Sequence, residues 1–196
     1  MKKTWAVFTL AAILTPISPA QAAVKYVFPI VGCKTHYAHS HHNYPATDIL
    51  TNKGCKFVAP TGGVVDELNR VDKWNGKTNL GSQRGGLFVS IIGDDGVRYY
   101  GSHLKKVAAG LEVGSRVIAG DLLGLVGTSG DARGTAPHVH FGISWPTPAE
   151  IWWVRRGEVY PWRYLDAWRA GKNAYPSKSV AAMKEKLGEI PPLPKY

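Results

Sequence analysis

The chain has 196 residues with a formal net charge of +10, and 44% of the residues are hydrophobic. This length is enough for one domain with a sizeable core and a short appendage. After an N-terminal apolar run no segment is long and apolar enough to cross a bilayer, so we expect no stable membrane insertion. The basic charge favours acidic partners such as cell-wall polymers, anionic lipid or nucleic acid, without choosing among them.

The first residues have the pattern of a secretory signal peptide. Met1-Lys2-Lys3 is followed by an apolar run from Trp5 to Ile17 and then by Ala20-Gln21-Ala22. A basic start, a short apolar centre and small residues before a cleavage point are typical of such signals. We therefore predict cleavage after residue 22 and an exported protein, located in a periplasm or in the extracellular space and cell wall.

Cys33 and Cys55 are the two cysteines of the sequence. In an oxidising compartment they favour an intramolecular disulfide, worth about 3 kcal/mol for a loop of this length. A zinc site on the two thiols is the weaker alternative, because their spacing is long and no Cys-x-x-Cys pair exists. The disulfide would enclose a polar segment with four histidines: His36, His39, His41 and His42. We expect His36 and His39 to be solvated loop residues.

Short runs rich in β-branched and aromatic residues predict strands separated by glycine-rich turns. They cover residues 26–32, 48–50, 56–59, 63–68, 86–93, 97–104 and 111–127. The polar residues from Val71 to Arg84 predict a surface loop long enough to line or cover a groove. Because no convincing helix occurs until late in the chain, the strands predict a mostly β fold, an all-β sandwich or open barrel.

The composition changes after Trp145. Residues 161–171 predict a short helix, with Pro161 in its first turn and Gly171 at its C-terminal cap, and residues 179–187 predict a second, amphipathic helix. We therefore divide the chain into a signal peptide (1–22), a β domain (23–145) and an aromatic and basic C-terminal extension with short helices (146–196). For most tryptophans of the extension we expect core and docking roles.

A glycine-rich run, residues 127–134, leads into His138-Val139-His140-Phe141, whose alternation predicts a strand. Side chains two residues apart in a strand project to the same face. The two imidazoles would thus lie side by side, while Val139 and Phe141 turn to the core. Neutral imidazole is a good zinc ligand, although a pair of partly exposed strand histidines without a metal is the alternative.

Two further segments supply partners for this pair. Two imidazoles and one carboxylate suffice to hold a zinc ion while leaving a fourth position for water. The segments His42–Ile49, Tyr99–Leu104 and Gly134–Phe141 together resemble the three motifs of the lysostaphin-type zinc metallopeptidases. Their order along the chain matches, as do the glycine-rich strands between them, and the resemblance covers roughly residues 30–145.

The resemblance implies a compact antiparallel β-sheet fold of the duplicated hybrid motif type, with a groove over one zinc ion per chain. It implies that a histidine of the first motif, Asp48 and His140 bind the metal. We favour His42 for the first of these, with His41 as the alternative. The interval from His42 to Asp48 is longer than usual in the family, so we expect this loop to bulge through Tyr44-Pro45.

The resemblance also implies that His103 and His138 are catalytic histidines that do not bind the metal. Either ring could accept a proton from water, pass it to the leaving amine or stabilise an oxyanion, and the sequence does not divide these roles between them.

The implied activity is hydrolysis of peptide bonds in bacterial peptidoglycan by a zinc-activated water, performed by a monomer acting on peptidoglycan peptides. The alternative is a non-catalytic cell-wall-binding or regulatory protein on the same fold, but the filled ligand and catalytic positions argue against it. We expect no nucleic-acid partner, because the sequence contains no helix-turn-helix or aromatic RNA-binding pattern and is exported.

Overall fold

A computed structural model of the protein describes residues 24–194, so the predicted signal peptide lies outside the described residues. Within this range no helix is long and apolar enough to span a membrane. The elements of the described range are β1 (Ile30–Val31), β2 (Thr47–Leu50), β3 (Lys56–Val58), β4 (Gly63–Asn69), β5 (Phe88–Gly93), β6 (Arg98–Ser102), β7 (Leu104–Val107), β8 (Arg116–Val117), β9 (Leu122–Val126), β10 (His138–Ser144), α1 (Trp152–Arg155), α2 (Trp162–Arg169) and α3 (Ser177–Leu187).

The strands form two antiparallel sheets that share one hydrophobic core. The larger sheet has the order β2-β10-β6-β5-β4-β8, and the smaller has the order β1-β3-β9-β7. The fully buried ring of Phe57, from the smaller sheet, lies against Gly101 of the larger sheet, where a Cβ atom would collide with it. The prediction of a mostly β, antiparallel sandwich is confirmed.

Strand β10 runs through the larger sheet between β2 and β6. Its residues Val139 and Phe141 have no exposed surface and belong to the core. His138 and His140, on the opposite face of the strand, line a cavity instead. The alternation predicted from the sequence is thus confirmed, and it presents both histidines on one side of the sheet.

His103 lies where the chain passes from one sheet to the other. It separates β6, in the larger sheet, from β7, in the smaller one. Its φ of +63° is in the left-handed region, which is uncommon for a residue other than glycine. The sequence predicted a continuous strand over residues 97–104. The chain turns at His103 because a left-handed residue breaks the pleat, and the side-chain pattern contains no signal of that.

The C-terminal extension packs onto the β sheets. Val154, Leu165 and Trp168 of its helices belong to the same hydrophobic core as the strands. The predicted helices are present as α2 and α3, whereas the short helix α1 was not predicted. The predicted disulfide between Cys33 and Cys55 is also present, and it ties the start of the histidine-rich loop to the residue before β3.

Candidate metal centre

Three side chains with metal-binding atoms meet at the edge of the larger sheet: His41, Asp48 and His140. Their ligand atoms all lie within 4.8 Å of one another. Oδ1 of Asp48 is 3.1 Å from Nδ1 of His140 and 3.6 Å from Nε2 of His41. Asp48 and His140 are directly opposite each other on β2 and β10, so the strand register itself places this pair.

His41, and not His42, completes the group. His42 is exposed, and its ring contacts the His41 ring edge-on with 4.9 Å between centroids. The loop bulges through Tyr44, whose main-chain oxygen lies 3.1 Å from Nδ1 of His41. This hydrogen bond holds the His41 ring toward Asp48. His42, which we favoured from the sequence, therefore only lines the cavity. His41, the alternative, lies beside the carboxylate of Asp48 instead.

Main-chain carbonyl groups fix the orientation of both imidazoles. Nε2 of His140 lies 2.9 Å from the carbonyl oxygen of Arg156, and Nδ1 of His41 lies 3.1 Å from that of Tyr44. Because a carbonyl oxygen only accepts hydrogen bonds, these two nitrogens carry the ring hydrogens. In the neutral rings the lone pairs of His140 Nδ1 and His41 Nε2 therefore point toward Asp48.

Two lone pairs directed at one carboxylate repel it unless a cation lies between them. When no metal is present, a proton on one of the rings supplies the positive charge. A divalent metal ion supplies more positive charge at this position and stabilises the arrangement further. Two imidazoles and a carboxylate, each held by outer hydrogen bonds, are an ordinary ligand set for zinc. The donor set of His41, Asp48 and His140 thus fits this ion.

The electrostatics favour an ionised carboxylate. Burial by itself would raise the pKa of Asp48, but the adjacent His140 and His41 rings hold that pKa well below its usual range. The carboxylate is therefore available as a ligand at any physiological pH.

His103 and His138 lie beside the group, with 4.9 Å between their ring centroids. The His103 ring is also 6.0 Å from that of His140. Nδ1 of His103 donates to the carbonyl of Ser129 at 2.9 Å, and Nδ1 of His138 donates to that of Ala136 at 2.8 Å. Each Nε2 atom is then the unprotonated nitrogen. Burial and the neighbouring imidazoles lower the pKa of His103 to about 3, so this ring is neutral at physiological pH.

A cavity of about 480 Å³ opens over these residues. One wall comes from the loop from Val71 to Arg84, which was predicted to line or cover a groove, and a second comes from the glycine-rich run of residues 127–134. A third wall was not predicted, and it comes from the C-terminal extension. The lining residues from these three segments are Gly81, Ser82, Arg84, Asp131, Ala132, Trp152, Arg155 and Arg156.

The charged groups of the third wall are held by aromatic rings. The guanidinium of Arg156 lies 3.8 Å from the centre of the Tyr44 ring, and that of Arg155 lies 4.4 Å from the centre of the Phe88 ring. Arg155 also forms an ion pair with Glu67. The cluster of arginines and tryptophans after residue 150 was the sequence feature that could have indicated this third wall. Nothing in the sequence, however, linked that cluster to the histidine motifs.

The remaining loop histidines do not reach the centre. Nε2 of the exposed His39 lies 3.0 Å from Oδ2 of Asp166, and His36 pairs through its main chain with Leu50. Neither of the two lines the cavity.

Solved structures show which class of protein has this fold. A putative glycyl-glycine endopeptidase LytM from Ruminococcus gnavus is 27% identical with a TM-score of 0.58, and the match covers 77% of this chain and 64% of that one. The catalytic domain of the antimicrobial peptidase lysostaphin from Staphylococcus simulans is 23% identical with a TM-score of 0.50, over 67% of this chain and 92% of that one. A putative peptidase M23 from Pseudomonas aeruginosa is 21% identical with a TM-score of 0.52, over 76% and 54% of the two chains. This chain thus spans less than two thirds of the Ruminococcus gnavus protein.

The family follows from the sequence match. Residues 34–150 match the model of peptidase family M23, which is more than half of the chain, and the chain belongs to that family. The resemblance to lysostaphin-type peptidases is thereby confirmed. A search of curated protein sequences gives no match.

Proposed function

We propose that this chain is an exported zinc endopeptidase that hydrolyses peptide bonds in bacterial peptidoglycan. The observation that carries the proposal is the direction of the imidazole lone pairs of His41 and His140. Both point at the ionised Asp48 at the floor of an open cavity, an arrangement that a divalent cation stabilises. Membership of peptidase family M23 supports peptide hydrolysis as the reaction.

The metal ligands in this proposal are His41, Asp48 and His140. A zinc ion held by them would lower the pKa of a bound water toward neutrality and polarise the carbonyl of a peptide bond. Asp48 contributes one negative charge, so the loaded site keeps a net positive charge and remains electrophilic.

The catalytic residues are His103 and His138. Their Nδ1 atoms are engaged by main-chain carbonyls, which leaves the Nε2 atoms to accept a proton from water and to deliver it to the leaving amine. A protonated ring at either position would also stabilise negative charge on the carbonyl oxygen. The hydrogen bonds at Nδ1 keep both rings in the tautomer that this proton transfer needs.

Peptidoglycan peptides are the proposed substrate because of the structural relatives, among them a putative glycyl-glycine endopeptidase and the antimicrobial peptidase lysostaphin. The basic character of the sequence agrees with an acidic cell-wall polymer as the surface on which the protein acts. The predicted signal peptide supports a periplasmic or extracellular location for this activity.

Digestion of purified peptidoglycan tests the proposal. The zinc-loaded protein should release peptides with new amino and carboxyl ends, identified by mass spectrometry, and a chelator should abolish the release until zinc is restored. The His140→Ala variant is the matched control and should release none. A wild-type protein that binds peptidoglycan without generating new ends would support the alternative of a non-catalytic cell-wall-binding protein.

A further inference from the structure

We propose that the C-terminal extension completes the metal centre, and that the main-chain carbonyl of Arg156 is a positioning group for His140. Arg156 lies beyond residue 150, where the match to peptidase family M23 ends. The inference rests on the proposed function only in that it takes His140 as a metal ligand.

The contact itself is buried and direct. Nε2 of His140 donates to the carbonyl oxygen of Arg156 at 2.9 Å, and His140 and Arg156 are only 5% and 9% exposed. A carbonyl in this position commits the ring hydrogen to Nε2 and leaves Nδ1 facing Asp48. Without it, the ring is free to rotate or to carry its hydrogen on Nδ1, where the hydrogen would block the metal-binding atom.

The extension reaches the ring because glycines allow a close approach of two backbones. A Cβ atom on Gly142, in the middle of β10, would collide with the carbonyl oxygen of Arg156 and lie 2.6 Å from its carbonyl carbon. Gly157 has a φ of +136°, and a Cβ atom there would collide with the main-chain oxygen of Pro45. The segment therefore fits between β10 and the first-motif loop only with glycine at both positions.

Main-chain hydrogen bonds hold the segment in this place. The amides of Glu158 and Val159 both donate to the carbonyl of Ile143, at 2.9 and 3.0 Å. Ile143 follows Gly142 on β10, so the extension is attached to the same strand that presents His140. The position of the Arg156 carbonyl is thereby tied to the position of the ring that it orients.

The same segment also contacts the first-motif loop and the cavity wall formed by the loop between β4 and β5. The guanidinium of Arg156 covers the ring of Tyr44, whose carbonyl orients His41. The ring of Trp152 packs on Gly81 of the loop between β4 and β5, where a Cβ atom would collide with it. One stretch of the extension thus supports both histidine ligands, one through its backbone and the other through a side chain.

A matched pair of glycine substitutions tests the inference by metal affinity. Gly142→Ala displaces the Arg156 carbonyl, whereas Gly101→Ala, on the neighbouring strand β6, introduces a collision with Phe57 in the core. Competition with a coloured chelator should show that Gly142→Ala binds zinc about 10- to 100-fold more weakly than wild type, the loss typical of an outer hydrogen-bond partner. Gly101→Ala should lower the melting temperature and leave zinc affinity within about threefold of wild type. Equal zinc affinity in wild type and in a folded Gly142→Ala variant would overturn the inference.

A measurement on the wild-type protein covers the case in which Gly142→Ala does not fold. Nitrogen-correlated NMR of the zinc-loaded protein should show that the ring hydrogen of His140 is on Nε2 and exchanges slowly with water. A hydrogen on Nδ1, or one that exchanges freely, overturns the inference. Neither readout requires peptidoglycan, so a protein that passes both and digests nothing refutes only the proposed hydrolysis, whereas a wild type without zinc affinity refutes both.

Discussion

Oδ1 of Asp48 and Nδ1 of His140 lie 3.1 Å apart because the two residues are exact partners across β2 and β10. Side chains alternate between the two faces of a strand, so a slip of one residue would turn one of these groups away from the other. The geometry of the candidate metal centre and the register of the larger sheet are therefore specified together.

The histidine doublet gives the sharpest mutational test of the ligand set. We expect His41→Ala to weaken zinc binding by more than about 100-fold, beyond the loss typical of an outer hydrogen-bond partner, because its Nε2 atom faces Asp48 at 3.6 Å. His42→Ala, one residue along, should retain its zinc because the His42 ring is not part of the group. Chelator competition on the two purified variants measures the difference, and the reverse order of affinities would restore His42 as the ligand.

The two flanking histidines should separate metal binding from turnover. His103→Ala and His138→Ala should each keep zinc and lose about 10²- to 10⁴-fold in peptide hydrolysis, the usual contribution of general acid–base catalysis. His39→Ala is the control, because His39 is exposed and pairs with Asp166 outside the cavity. Activity at the wild-type level in either catalytic variant would remove that residue from the mechanism.

The disulfide between Cys33 and Cys55 should stabilise the folded protein against unfolding. The double variant Cys33→Ser/Cys55→Ser should lose about 3 kcal/mol of unfolding free energy, because the unfolded chain is no longer cross-linked. For a domain of this size that loss corresponds to roughly 10 °C in melting temperature. Calorimetry of the variant, with the reduced wild type as a second sample, checks the value. An unchanged melting temperature in both samples contradicts the prediction.

Glu158 should make the protein less stable as the pH rises. Burial raises the pKa of this carboxyl to about 7 against the opposing attraction of Arg156, compared with an ordinary value of 4.5. Between those two pH values the unfolded chain releases the proton while the folded protein retains it, so unfolding becomes more favourable. Glu158→Gln should therefore raise the melting temperature at pH 8 and leave it nearly unchanged at pH 4.

The exposed Glu150 of the same extension provides the comparison for that experiment. Glu150→Gln makes the same chemical change at the surface and should shift the melting temperature little at either pH. A pH-independent effect of Glu158→Gln would mean that the burial of the carboxyl is not the cause.

The sequence determined a large part of this protein. Alternation in β10 predicted which residues enter the core and which face the cavity, because the two faces of a strand differ in burial. The two cysteines, together with a predicted export signal, predicted the disulfide. The order of the three motifs predicted the family. The motifs also identified candidate site residues: Asp48, His103, His138 and His140.

Only the tertiary structure decided how those residues are held. From the sequence we favoured His42 over His41, whereas His41 lies beside Asp48, because a loop carbonyl at Tyr44 turns its ring inward. The sequence also could not connect Arg156 to His140, since the link is a main-chain atom, and every residue has a carbonyl. Such contacts depend on the path of the backbone and on the glycines that allow two segments to touch, and a pattern of side chains does not encode where a distant segment will lie.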